Sequence, residues 1–247
     1  MTADRPQTSN TNSRAAAVAF ALTFPTLLTW VYFVALADQS ASMQQTVYGF
    51  GKLIQFGFPI AWVLAWERQR PRRPEKPTRG LCHGLLFGLI IAGTALGLYY
   101  GWMKPAGWFD AAMEAVRLKV TSAGITSPGK YIALGVFYSA AHSLMEEYYW
   151  RWFVFGRMRG LLPLGAAIAI SSLAFMAHHV IVLSVYFGWS SFATWFFSFS
   201  VAVGGAVWAW LYQRSGSLLG PWLSHCLVDA AIFVVGYDLM SDVWTAG

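Results

Sequence analysis

Long apolar runs return along the whole chain, and they restrict its fold more than any other feature. Inside a bilayer every backbone N–H and C=O must find a partner within the protein. A run of about twenty apolar residues therefore crosses as a helix. Seven runs can be read, at 15–37, 47–66, 81–103, 131–155, 162–185, 192–212 and 218–235. The expectation is an all-α fold: a polytopic membrane helix bundle of about seven to eight transmembrane helices. Composition agrees, since 57% of residues are hydrophobic and only 11% charged, against about a quarter charged in a soluble domain.

The stretches between the runs set the order of the parts. Residues 1–14 are polar and read as a disordered segment on the cytoplasmic side. The first run is too long for a signal-peptide core and lacks a small-residue cleavage site, so it reads as a retained helix, bent at Pro25. Residues 67–80 hold six basic residues among three prolines and form a cytoplasmic loop rather than a helix. Residues 104–130 hold a short amphipathic helix, Trp108 to Thr121, lying at the interface. Residues 236–247 are a polar tail.

Threaded from a cytoplasmic N-terminus, twelve basic residues fall inside and four outside, with Lys52 left within a run. That asymmetry follows the positive-inside rule and suits a bacterial cytoplasmic (inner) membrane. The net charge of +6 is thus a topology signal. No nucleic-acid module is present, and nucleic acid is not an expected partner. Cys82 and Cys226 lie in separate apolar runs and make neither a metal pair nor a disulfide framework.

Charged and ionisable groups inside the later runs are few and recur at helical spacing. Glu146 and Glu147 stand side by side in the fourth run, with His142 four residues before Glu146 and Arg151 four after Glu147. The fifth run carries His178 and His179, and the seventh His225 and Asp229, again four apart and so on one helix face. An ionised side chain in hydrocarbon is costly, so such groups face a protein interior or a wet cavity. Carboxylate and imidazole at one depth are the groups that take a proton from water and return it to a leaving amine.

Each feature also has a plainer reading. The acids followed by an aromatic run can mark a span's end, the paired histidines can pack between helices, and His225 with Asp229 can form an interhelical knot. The tryptophans Trp195, Trp208 and Trp210 read as lipid-facing or core filling. A proton-coupled transporter would use similar groups, but no paired broken-helix repeat is evident. A serine protease is disfavoured, because Ser224 and His225 are adjacent on a helix and do not face each other.

Taken in order, Glu146-Glu147-Tyr-Tyr-Trp-Arg151, Phe175-Met-Ala-His-His179 and His225-Cys-Leu-Val-Asp229 lie on successive hydrophobic runs. In these three motifs the chain resembles the CPBP (Abi; CAAX protease and bacteriocin-processing) intramembrane proteases, similar to the type II CAAX prenyl endopeptidases. The resemblance covers 131–235, which it implies to be the catalytic core. It implies an intramembrane endopeptidase acting on a membrane-associated protein or peptide. A non-enzymatic bacteriocin-immunity or scaffold-type membrane protein of the same fold is the alternative.

By the same resemblance Glu146 is the general base for the hydrolytic water, assisted by His179. His225 and Asp229 face the developing oxyanion, and Glu147 with Arg151 form a supporting pair. One position departs: Asp229 stands where the prenyl-protease branch has asparagine. An ionised aspartate repels an oxyanion, so Asp229 is expected either to orient His225 or to stay protonated. The expected mechanism uses no cofactor. The alternative is Zn²⁺ held by Glu146, His179 and His225, with His142 as a further candidate.

Overall fold

In the computed structural model, residues 8–68 and 76–245 are described, and they form helices and no strand. The first helix, α1, runs over 8–35 and closes on a π-helical turn, Val31–Ala35. It is followed by α2 (Ala41–Trp66) and α3 (Leu81–Met103), then the short α4 (Asp110–Ser122). The longest is α5, over 128–158, followed by α6 (Leu164–Phe187), α7 (Phe192–Ser215), α8 (Leu219–Leu239) and a final turn, α9 (Ser241–Thr245).

Six of these helices, α1, α2, α3, α6, α7 and α8, are long and apolar enough to cross a membrane. The seventh long helix, α5, has the length but carries Glu146, Glu147, Arg151 and Arg157 in its second half. The chain is an integral membrane protein, an all-α bundle as its apolar runs require. Residues 8–14 are the opening turns of α1 rather than an unstructured segment, and 1–7 lie outside the described residues. Of the basic loop, 69–75 also lie outside them. Helix α8 continues through 236–239 into what reads from sequence as tail.

Burial inverts the usual relation between charge and position. The helix with the most internal charge is the most enclosed: Tyr149, Trp150, Phe153, Val154, Phe155 and Met158 of α5 are all buried. Large apolar side chains on the outer helices, such as Leu53, Phe192 and Phe199, face outward, where lipid takes the place of a core.

Small residues decide how closely the site-bearing α8 approaches its neighbour. Gly84 and Gly88 of α3 lie one turn apart against Gly220 and Ser224 of α8. A Cβ on Gly84 would stand 2.1 Å from the Gly220 carbonyl oxygen, and one on Gly88 2.8 Å from the Ser224 Cα. Small-residue faces of this kind let membrane helices meet backbone to backbone, with dispersion as the main attraction.

Local chemistry places the helix ends. Ser127 caps α5, its hydroxyl accepting from the Lys130 N–H, with Pro128 in the first turn. Ser191 caps α7 in the same way, and α7 stops at Gly216, whose φ of +67° suits a residue without a side chain. At one end of the bundle Lys104 and Tyr99 both donate to Asp238, at 2.5 and 2.7 Å. Arg117 of α4 reaches Asp242 at 2.8 Å. At the other end Arg157 grips Glu67 through two bonds, at 2.9 and 3.3 Å.

Candidate active site

Three helices bring the ionisable groups together: α5 supplies Glu146, Glu147 and Arg151, α6 supplies His178 and His179, and α8 supplies His225 and Asp229. Around Glu146 and Glu147 α5 is not regular. A single α-helical turn, Ser143–Glu147, lies between two π-helical stretches, Phe137–His142 and Tyr148–Phe155. A π turn holds more residues than an α turn, so it re-aims the side chains beyond it, and such turns gather at functional sites.

His225 stands between the two adjacent carboxylates. Its Nδ1 is 2.8 Å from Glu147 Oε1, and its Nε2 is 3.7 Å from Glu146 Oε2. The same Glu147 oxygen is 3.1 Å from the Arg151 guanidinium one turn later. A carboxylate paired with arginine accepts hydrogen bonds and donates none. The proton between His225 and Glu147 therefore sits on Nδ1, and Nε2 is aimed at Glu146. Asp229 Oδ1 lies 3.6 Å from that same Nε2, too long for a hydrogen bond but close enough to bias the ring.

Arg151 has further neighbours, although its Nη1 is buried without a hydrogen bond. It donates to the Gly205 carbonyl at 3.3 Å and lies over the rings of Phe175 and Trp208, at 4.8 and 5.0 Å. Trp208 in turn stacks on His225, with ring centres 4.1 Å apart and planes inclined by 18°, and its Nε1 donates to Ser224 Oγ. Glu147, Arg151 and His225 are all at least 95% buried, so each would be costly without its partners.

Glu146 is held loosely by comparison. It is buried, yet its nearest ionisable neighbours are His225 at 3.7 Å and His178 at 3.9 Å, beyond hydrogen-bond range. His142, His178, His179 and His225 are all within its electrostatic range. His179 donates from Nδ1 to the Phe175 carbonyl at 2.9 Å, which leaves Nε2 as the basic nitrogen. His178 stacks on Trp150, and its Nδ1 is buried without a hydrogen-bond partner.

The residues named from the sequence thus gather at one place. Details differ. His178, not His179, comes within 4 Å of Glu146. Glu147 pairs with Arg151 as expected but also binds His225. Trp208 is a ring on the site histidine, whereas Trp195 and Trp210 are outward-facing. Sequence reasoning left Lys52 of α2 within a run, near its start, and gave it no role, although a lysine inside a span was a signal to follow. Among the described residues no three His, Cys, Asp or Glu side chains are grouped to hold a metal ion.

Residues 128–231 match the family model of the type II CAAX prenyl endopeptidase Rce1-like proteins. The match covers α5 through most of α8, so all three motifs fall within it, and it agrees with the resemblance carried by those motifs. No curated protein and no solved structure shows a significant match.

Proposed function

We propose that the chain is an intramembrane endopeptidase that hydrolyses a peptide bond of a membrane-associated protein or peptide with water activated by Glu146. The observation that carries the reading is the unequal treatment of two adjacent acids around one imidazole. Glu147 is neutralised by Arg151 and committed to His225, which leaves Glu146 as the buried carboxylate free to take a proton. The protease family matched over 128–231 supports the same reaction class.

In this reading Glu146 removes a proton from water while the resulting hydroxide attacks the carbonyl carbon. The C=O π electrons move to oxygen, and the tetrahedral oxyanion collapses with cleavage of the C–N bond. The proton held by Glu146 passes to the departing amine. His178 and His179 flank the carboxylate and orient it and the water. Glu147 and Arg151 fix His225 so that Nε2 faces the reacting centre, and Asp229 biases that ring. Positioning of this kind contributes by removing the cost of reorganisation at the moment of reaction.

The proposed mechanism uses no metal, and cleavage is expected to persist after treatment with a strong chelator. The proposed setting is a bacterial cytoplasmic membrane with the N-terminus in the cytoplasm. The test is mass spectrometry of membrane-protein termini in cells carrying the wild type, Glu146→Ala or His179→Ala. Full-length precursors should accumulate in Glu146→Ala at normal expression. Unchanged termini in both variants would leave only a non-enzymatic membrane protein of this fold.

A further inference from the structure

Lys52 is placed where a cation needs a reason. It lies 52 − 41 = 11 residues into α2, which at 1.5 Å per residue is ~17 Å along a helix able to span the membrane. At that depth it is far from lipid headgroups. Its ammonium sits over the rings of Tyr48 and Phe56, one turn before and one turn after, at 5.2 and 5.3 Å. That stripe faces α5, because Phe56 also meets His142 and Tyr149, with ring centres 6.1 Å apart in both cases.

The site side of this stripe is short of anions. Lys52 lies within electrostatic range of Glu146, yet no carboxylate comes within ion-pair distance of it among the described residues. The other arginine or lysine beside the acids, Arg151, is already committed to Glu147. Lys52 is only half-buried, as are Tyr48 and Tyr138; the Tyr138 ring lies 4.8 Å from that of His142, which also meets Phe56 beside Lys52. Their hydroxyls have no hydrogen-bond partner among the described residues, whereas those of Tyr99 and Tyr149 donate to protein acceptors. An ammonium and two phenolic O–H groups, none with a hydrogen-bond partner among the described residues, form a donor set for an anion.

We propose that Lys52, with the hydroxyls of Tyr48 and Tyr138, forms a subsite beside Glu146 for a carboxylate of the peptide substrate. The proposal rests on the peptidase reading for its choice of a peptide. The carboxylate comes from a free C-terminus or from an acidic side chain. In either case the subsite selects which peptide bond is presented to Glu146, so Lys52 is a specificity-determining residue. A bound carboxylate would also supply the anion that offsets the cost of holding the ammonium at this depth.

Binding to the full chain in nanodiscs tests this without turnover. Three probes are used: an acetylated apolar tetrapeptide with a free C-terminal carboxylate, its C-terminal amide, and the amide carrying one glutamate. The wild type should bind at least one carboxylate probe about tenfold or more tighter than the plain amide, as charge-assisted hydrogen bonds allow. Lys52→Gln should abolish that preference and Lys52→Arg should retain it, with both variants checked for an unchanged unfolding midpoint. Preference for the free acid assigns a C-terminus, and preference for the glutamate peptide assigns a side chain. Equal binding of all three probes by the wild type, or a preference that survives in Lys52→Gln, overturns the subsite. If the preference stands while Glu146→Ala leaves every terminus in the cell unchanged, the peptidase reading fails alone.

Discussion

Two halves of one site are built in opposite ways. Around Glu147 the partners are close: Arg151 at 3.1 Å and His225 at 2.8 Å, with Trp208 stacked on the His225 ring, although Glu147 Oε2 and Arg151 Nη1 are buried without a hydrogen bond. Around Glu146 the neighbours stand at 3.7 and 3.9 Å, and no hydrogen bond holds the carboxylate among the described residues. The lesson is a division of labour between adjacent residues. On the proposed reading, Glu147 is given close partners that hold the network, and Glu146, which exchanges a proton, is left with room to do so.

The comparison can be broken most severely at His225, which belongs to both halves. His225→Ala should lower cleavage by about a thousandfold and also lower the unfolding midpoint, because Glu147 and Arg151 lose their third member. Glu147→Ala should act on stability first, costing about 3–5 kcal/mol by leaving Arg151 buried without its anion. Adding Arg151→Met should recover much of that loss in a denaturant titration in detergent, although cleavage stays low.

Steric damage away from the charges should be smaller. Gly84→Val drives a side chain into the Gly220 carbonyl and should cost about 1–3 kcal/mol, with loss of cleavage as α8 shifts. The smallest effect belongs to the bundle's end. Lys104→Ala removes a half-exposed ion pair and should change stability by about 0–1 kcal/mol. Its hydrogen bond to Asp238 raises the Lys104 pKa. That contribution is present below the ordinary lysine value and is lost only as pH rises through the raised one, so stability from this pair should be flat between pH 6 and 9.

Much of this was legible in the sequence, for a physical reason. Residues four apart on a helix share a face, so His225 with Asp229 and Glu147 with Arg151 could be read as pairs before any fold was known. The apolar runs gave most helix ends to within a few residues, although α1 and α2 begin seven and six residues before theirs. What spacing does not encode is the rotation of one helix against another. The contact of His178 rather than His179 with Glu146 depends on how α6 turns toward α5. The 2.8 Å bond from His225 to Glu147 depends on how α8 sits against α5. The π-helical stretches on either side of Glu146 add a phase shift that a 3.6-residue period misses. Lys52 was hidden differently, since its close contacts are rings on its own helix, and its nearness to the other helix's acids depends on how α2 packs on α5.

The most direct measurement sets Glu146→Gln beside Glu147→Gln in one purified preparation. It reads both the unfolding midpoint and the cleavage of a precursor identified from membrane-protein termini. The account predicts that Glu146→Gln unfolds like the wild type and cleaves nothing, while Glu147→Gln unfolds earlier. Cleavage at the wild-type rate by Glu146→Gln, or an equal loss of stability in the two variants, would contradict it.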